Sequence, residues 1–254
     1  LQEFIDTSLD ITHFAFGAVG STNDEAFRLA EERGYSRLLV SAESQSSGRG
    51  RRGRGWVSEP GNLYMSLFLR RPSIPEHCSE LSFVAAVALH GAIAGCVREH
   101  AHSCTLKWPN DVLWEGAKIA GLLLEAKMQR GEMNCVIGIG VNCSTHPHDT
   151  PYPATSLKAR GIALSAGELF VEVKRHLLLN IDLWNGGKNF AAIRRRWLQH
   201  VQGLGNPLRV RLADEEIDGQ FLDLDPKGRL VLQLSDQTKR IITAGDVFFP
   251  ACTR

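Results

Sequence analysis

Residues 45–56 read QSSGRGRRGRGW, with four arginines and four glycines in positions 48–55 and a tryptophan directly after them. Glycines at this density leave backbone N–H groups unhindered, and guanidinium groups bond oxyanions in pairs, so the segment has the chemistry of a phosphate cradle. Two familiar cradles are excluded. A Walker loop ends in Gly-Lys-Ser/Thr, which is absent here. Gly48, Gly50 and Gly53 match the spacing GxGxxG, but a Rossmann fingerprint opens a helix, and NLYMSLFLR (62–70) reads as a strand. The segment has no apolar residue before Trp56, so it cannot order itself by burial. It is expected to be mobile when empty and to fold over its ligand. A solvated loop and a nucleic-acid grip are the competing readings. The net charge of +1 over 254 residues gives no general attraction to nucleic acid.

Outward from this stretch, elements alternate without a regular βαβ beat. STNDEAFRLAEERG (21–34) reads as a helix, with Thr22 and Glu25 at capping-box spacing and Gly34 as its stop. RLLVSAE (37–43) is a buried strand, and residues 80–99 form a long apolar helix. TLKWPNDVLW and AKIAGLLLEAKMQ are expected as two strands joined at Glu115–Gly116, followed by the strand NCVIGIGVNC. Ser165 and Glu168 repeat the capping-box spacing ahead of Leu169, Val173, Leu177 and Trp184, and a further helix covers 190–198. Beyond GLGNP (203–207) only short strands and turns follow, which suits a small β-barrel. The fold class is therefore α+β, a mixed sheet layered with helices, with domains at 1–203 and 204–254.

KWPND (107–111) and AKIAG (117–121) bring Lys107, Asp111 and Lys118 onto neighbouring strands. A lysine set between Ala117 and Ile119 can neutralise charge developing on a phosphate. Asp111 can hold a Mg²⁺ ion that screens the phosphates. Pro109 and Asn110 are read as shaping a turn. No nucleophile elbow, Ser-His-Asp set or Cys-His pair is evident, which fits an enzyme working by positioning and electrostatics. Six cysteines without a CxxC pair read as buried, reduced thiols. His146 and His148 lack a third ligand for a metal. No signal peptide opens the chain and no apolar run approaches the ~18 residues of a membrane span, so a cytoplasmic protein is expected.

Taken together and in order, GRGRRGRGW, NLYMSLFLR, KWPNDVLW, KIAGLLLE and VIGIGVN resemble the biotin–protein ligases, of the monofunctional type. The resemblance runs from Ser21 to about residue 250. It implies a class II synthetase-like catalytic domain with an SH3-like C-terminal barrel. It also implies an activity: biotin and ATP form biotinyl-5′-adenylate, whose acyl group passes to a lysine of a biotin carboxyl carrier protein. On this resemblance Ser21, Thr22 and Asn23 contact the biotin rings. Gln45 and the loop containing Gly48, Arg49, Gly50, Arg51 and Arg54 close over the adenylate. Trp56 and Tyr64 wall the biotin side. Lys118 bonds the biotin carboxyl and the α-phosphate, with Lys107 and Arg51 as further catalytic groups and Asp111 as the Mg²⁺ ligand. Gly121, Gly138 and Gly140 admit the ligand to the sheet, and Asn142 lies near the adenine. Homodimers known among relatives are left open. With only twenty residues before Ser21, no DNA-binding domain and no operator binding are expected. Residues 144–156 match poorly, and His146, His148 and Tyr152 are read as a loop outside catalysis. A lipoate- or octanoate-type ligase and a non-enzymatic nucleic-acid binder are the alternatives. The mixture of acids and bases across the C-terminal strands disfavours the second.

Overall fold

The computed structural model describes residues 1–6, 11–129 and 131–249. Its main sheet contains β1 (Gln2–Asp6), β2 (Ile11–Val19), β3 (Arg37–Gln45), β4 (Leu63–Arg70), β5 (Cys104–Lys107), β6 (Asp111–Trp114), β7 (Ala117–Gln129) and β8 (Glu132–Val141). The strand order is β1-β2-β3-β4-β8-β7-β6-β5. Only β2 and β3 run parallel, joined by helix α1 (Thr22–Arg33); the other neighbouring pairs are antiparallel. The short helix α2 (Pro75–Cys78) leads into α3 (Leu81–Val97). After the sheet come α4 (Ala166–Trp184) and α5 (Phe190–His200).

Strand periodicity divides the core into two layers. Residues two apart share a face, so Leu38 and Val40 of β3, Phe68 of β4 and Val136 of β8 pack against Ala26, Phe27, Leu29 and Ala30 of α1. The alternate positions, Leu39, Met65, Leu67, Ile137 and Ile139, join the larger core beneath α3, α4 and α5. Helix α3 is apolar on all sides because it lies inside that layer. The helical stretch Pro75–Ser103 is long and apolar enough to cross a membrane by length and composition alone, but most of its apolar window is buried within the protein, as in a core helix.

Two strands ahead of Ser21 had no counterpart in the sequence reading. TLKWPNDVLW is not one strand but a hairpin of β5 and β6, with a cis Trp108–Pro109 bond between them. The capping box at Ser165–Glu168 forms on both sides. The one anticipated at Thr22–Glu25 does not. Ser21 takes the N-cap position, and the side chain of Gln45, the last residue of β3, accepts from Thr22 N at 2.8 Å. An unpaired N–H of the first turn is thereby satisfied from another element.

The C-terminal unit comprises β9 (Pro207–Arg211), β10 (Glu216–Leu224), β11 (Leu230–Gln233), β12 (Lys239–Ile242) and β13 (Asp246–Phe248), an antiparallel sheet ordered β12-β11-β10-β9-β13. It is fastened to the rest of the chain by Trp108 Nε1, which donates to Gly228 O at 3.1 Å, and by Arg194, which donates to Leu224 O.

Candidate active site

The cavity lies at the N-terminal end of α1. Under the helix the facing strand positions are apolar or charged, as with Phe68, Val136 and Glu125. Beyond its first turn the same face becomes Ser66 on β4, Gly138 and Gly140 on β8, and Gly121 on β7. Small residues at these positions leave a cavity of about 340 Å³ between sheet, loop and C-terminal unit. A Cβ on Gly138 would come within 2.4 Å of Asn23 Oδ1, and one on Gly140 within 2.6 Å of the Trp56 indole nitrogen.

One end of the cavity is neutral and hydrogen-bonding. Ser21, Thr22, Asn23 and Gln45 line it. Gln45 Oε1 accepts from Thr22 N and lies beside Thr22 Oγ1, and its Nε2 donates to Ser58 Oγ at 3.0 Å. Ser66 Oγ lies 2.6 Å from Asn23 Oδ1 and 2.7 Å from Thr22 Oγ1.

The other end is cationic. Lys118 Nζ pairs with Asp111 at 2.7 Å and sits beside the rings of Trp56 and Tyr152, 5.3 and 5.2 Å from their centroids. Lys107 is half-buried against Phe248 and Phe249, 5.6 and 6.0 Å from their ring centroids, and desolvation there lowers its pKa from the usual lysine value. Burial likewise lowers the Arg51 guanidinium, which donates to Asn110 Oδ1 at 3.1 Å.

The arginines divide into separate roles. Arg49 forks onto Asp24 and reaches Glu125, and the hydrogen bond with Asp24 leads in raising its pKa. Arg52 and Arg54 pair with Asp246 of β13. Burial works against ionisation of Asp246, but the hydrogen bond from Arg54 and the nearby arginine charges hold it below the usual carboxylate range. Arg51 lines the cavity and, among the described residues, has no carboxylate bonded to it. The loop itself closes through an Arg49–Gly55 bridge, Gly50 N to Arg54 O at 2.7 Å, and Trp56 N to Gly48 O at 2.9 Å. Its start is tied to the end of β2 by Ser46 N to Val19 O at 3.0 Å and Ser47 N to Gly20 O at 2.8 Å.

Most residues singled out in the sequence meet at this cavity: Ser21, Thr22, Asn23, Gln45, Arg49, Gly50, Arg51, Arg54, Trp56, Lys107, Asp111, Lys118, Gly121, Gly138 and Gly140. Three do not line it. Gly48 sits at the neck of the loop, where a Cβ would meet Ser58 Oγ at 2.5 Å and Trp56 O at 2.6 Å. Tyr64 is fully buried and donates to Glu59 O at 2.9 Å. Asn142 ties β8 to the following loop by donating to Thr155 O at 3.0 Å. Conversely, Tyr152 and Asn110 line the cavity, as do Arg211, Val247 and Phe248 from the C-terminal unit. Strand pattern alone gives no hint that β9 and β13 turn these side chains toward the first domain. The poor motif match at 144–156 concealed Tyr152.

Among the described residues no cluster of three or more metal-ligating side chains occurs. Magnesium bound through substrate phosphates needs only one or two carboxylates, and Asp111 supplies one in the cavity, beside Lys118.

Two family models match the chain: the biotin/lipoate A/B protein ligase family over residues 17–142 and the biotin protein ligase C-terminal domain over residues 203–249. The biotin–[acetyl-CoA-carboxylase] ligase of Paracoccus denitrificans is 36% identical, over 90% of this chain and 97% of its own. The corresponding ligase of Mycobacterium tuberculosis is 33% identical, over 90% and 85%. The biotin protein ligase of Aquifex aeolicus, solved with biotin and ATP, has a TM-score of 0.77 at 24% identity, covering 93% of this chain and 97% of that one, a likeness of fold. Identity of a third or more with these ligases over nine-tenths of the chain places this protein in the biotin protein ligase family.

Proposed function

We propose that the protein joins biotin to ATP as biotinyl-5′-adenylate and transfers the biotinyl group to a lysine of a biotin carboxyl carrier domain. The observation that carries this reading is Lys118, held by Asp111 beside two aromatic rings at the cationic end of a cavity whose other end is neutral and hydrogen-bonding. The neutral end offers donors and acceptors suited to a ureido group, and Trp56 an apolar wall. A carboxylate oxygen of biotin attacks the α-phosphorus, the bond to the β-phosphate oxygen breaks, and pyrophosphate leaves. Two anions must approach, so Lys118, Lys107 and Arg51 lower the barrier by offsetting charge that is greatest in the transition state. Bound Mg²⁺, with Asp111 as a ligand, would screen the phosphates further. The closed loop then keeps water from the mixed anhydride. An acceptor ε-amine attacks the acyl carbon and AMP departs.

The same proposal places the domain division at 203/204, between the end of α5 and the start of β9, and the protein in the cytoplasm. It assigns the loop no operator contact, because Arg49, Arg52 and Arg54 are engaged with Asp24, Glu125 and Asp246. Purified protein incubated with ATP, Mg²⁺ and biotin, lipoate or octanoate should release pyrophosphate with biotin and biotinylate a carrier domain. Release only with lipoate or octanoate would favour the alternative ligase.

A further inference from the structure

Glu125 lies outside the cavity lining, yet it joins the two parts of the site that must act together. It stands on β7 opposite Val136 of β8, beneath the first turn of α1. Its carboxylate accepts from Asn23 Nδ2 at 2.7 Å, from Arg49 Nε at 3.1 Å and from Arg49 Nη2 at 3.0 Å. Asn23 in turn presents Oδ1 to Ser66. With its one proton on Asn23, Ser66 accepts from the Thr22 hydroxyl, 2.7 Å away; the Thr22 backbone N–H donates to Gln45, Gln45 donates to Ser58, and Ser58 donates to the carbonyl of Trp56. One chain of hydrogen bonds therefore runs from Arg49, at the start of the loop, through the cavity floor to Trp56 at its end.

A carboxylate only accepts, so it fixes the orientation of any amide bonded to it. With Glu125 taking the Asn23 N–H, the amide nitrogen faces β7 and the oxygen faces Ser66 over Gly138. Removing that charge frees the amide to turn and takes from Arg49 the partner that ties it to the sheet. Asp24, the other carboxylate on Arg49, has a half-exposed side chain and belongs to the helix rather than the floor.

We propose that Glu125 is a positioning residue for the biotin end of the reaction, orienting Asn23 and tethering Arg49 so that floor and loop close as one unit. The proposal rests on the biotin-ligase reading. Glu125 acts through its two partners, on biotin binding and adenylate retention, and leaves the phosphate-facing Lys118, Lys107 and Arg51 in place.

The test compares wild type, Glu125→Gln and Asp24→Asn in pyrophosphate release, adenylate dissociation, thermal unfolding and amide exchange of residues 49–56. Loss of a charged hydrogen bond of this kind should raise the biotin KM of Glu125→Gln about fivefold or more and speed adenylate loss in proportion. The ATP KM should stay within about twofold, and Asp24→Asn, which loses a more exposed pair, should change both KM values by less than about twofold. Loop amides should exchange faster in Glu125→Gln without ligand. Unchanged biotin KM and adenylate retention would overturn the proposal, as would equal loss of biotin and ATP affinity, or equal effects of the two variants. If wild type shows no biotin-dependent turnover, the ligase reading fails by itself. Loop exchange in the ligand-free protein then still tests the tether, and unchanged exchange in Glu125→Gln refutes it.

Discussion

At the scale of single residues, the cavity exists because particular side chains are missing. Asn23 and Trp56 occupy the space that a Cβ would need at Gly138 and Gly140. Gly140→Ala should displace the Trp56 indole and reduce adenylate formation at least about tenfold, since a small misplacement at the reacting geometry is costly. Unfolding temperature, measured beside activity, should fall far less than activity does. Gly48→Ser should open the neck of the loop, because the added atoms meet a backbone carbonyl that cannot swing aside. Faster escape of preformed adenylate is the expected outcome, and unchanged retention would contradict the role given to that neck. Lys118→Ala should cost about a hundredfold or more in adenylation, as removal of a preorganised electrostatic group does elsewhere. These positions were legible in the sequence because each departs from its neighbours: a lysine inside an apolar strand, glycines at alternate positions of another. Tyr152 and Asp246 were not. An aromatic in a proline-rich loop and an acid among alternating charges look like ordinary surface until the chain brings them to the cavity.

At the scale of elements, periodicity reported which faces are buried but not which polar group satisfies which helix end. Ser165–Glu168 behaves as its spacing implies, and Ser165→Ala should destabilise the protein by about 1 kcal/mol in urea unfolding. At α1 the same spacing misled, because Gln45 on a neighbouring strand supplies the acceptor and leaves Thr22 free to join the site network. Tertiary partners of this kind leave no local trace in the sequence. Helix α3 carries a consequence for acid stability. His90 is buried on it, with Nε2 3.0 Å from Cys104 O and its ring stacked 4.0 Å from His200. Burial first, then His200, lowers its pKa to about 4. The unfolded chain takes up this proton near pH 6.5 and the folded one only near 4. The stabilisation is thus complete above pH 6.5 and is lost as pH falls toward 4, by up to about 3 kcal/mol for the group. His90→Gln should flatten part of the slope of urea stability between those pH values, and an unchanged slope would count against it.

At the scale of the whole molecule, the site belongs to both sheets. The C-terminal unit supplies Arg211, Val247 and Phe248 to the wall, and Asp246 holds two loop arginines. It also covers Trp108 Nε1, which donates to Gly228 O. A protein ending at residue 203 should therefore lose adenylate formation, and the loss should not be restored by raising ATP. Full activity in that truncation would show the second unit to be dispensable for the first step. The change in texture near residue 203 was visible in the sequence, but the joint use of the cavity was not, because no local pattern encodes how two sheets face each other.

The parallel pairing of β2 with β3 has a mechanical consequence. The end of β2 holds the start of the arginine loop through Val19 and Gly20, and the end of β3 caps α1 through Gln45. A force applied at the N-terminus and directed along β2 would be borne at one end of the strand by Ile11 in the large core and at the other by the loop. In a pulling experiment, a bound adenylate should raise the force at which this strand detaches, so that occupancy of the cavity could be read as tension.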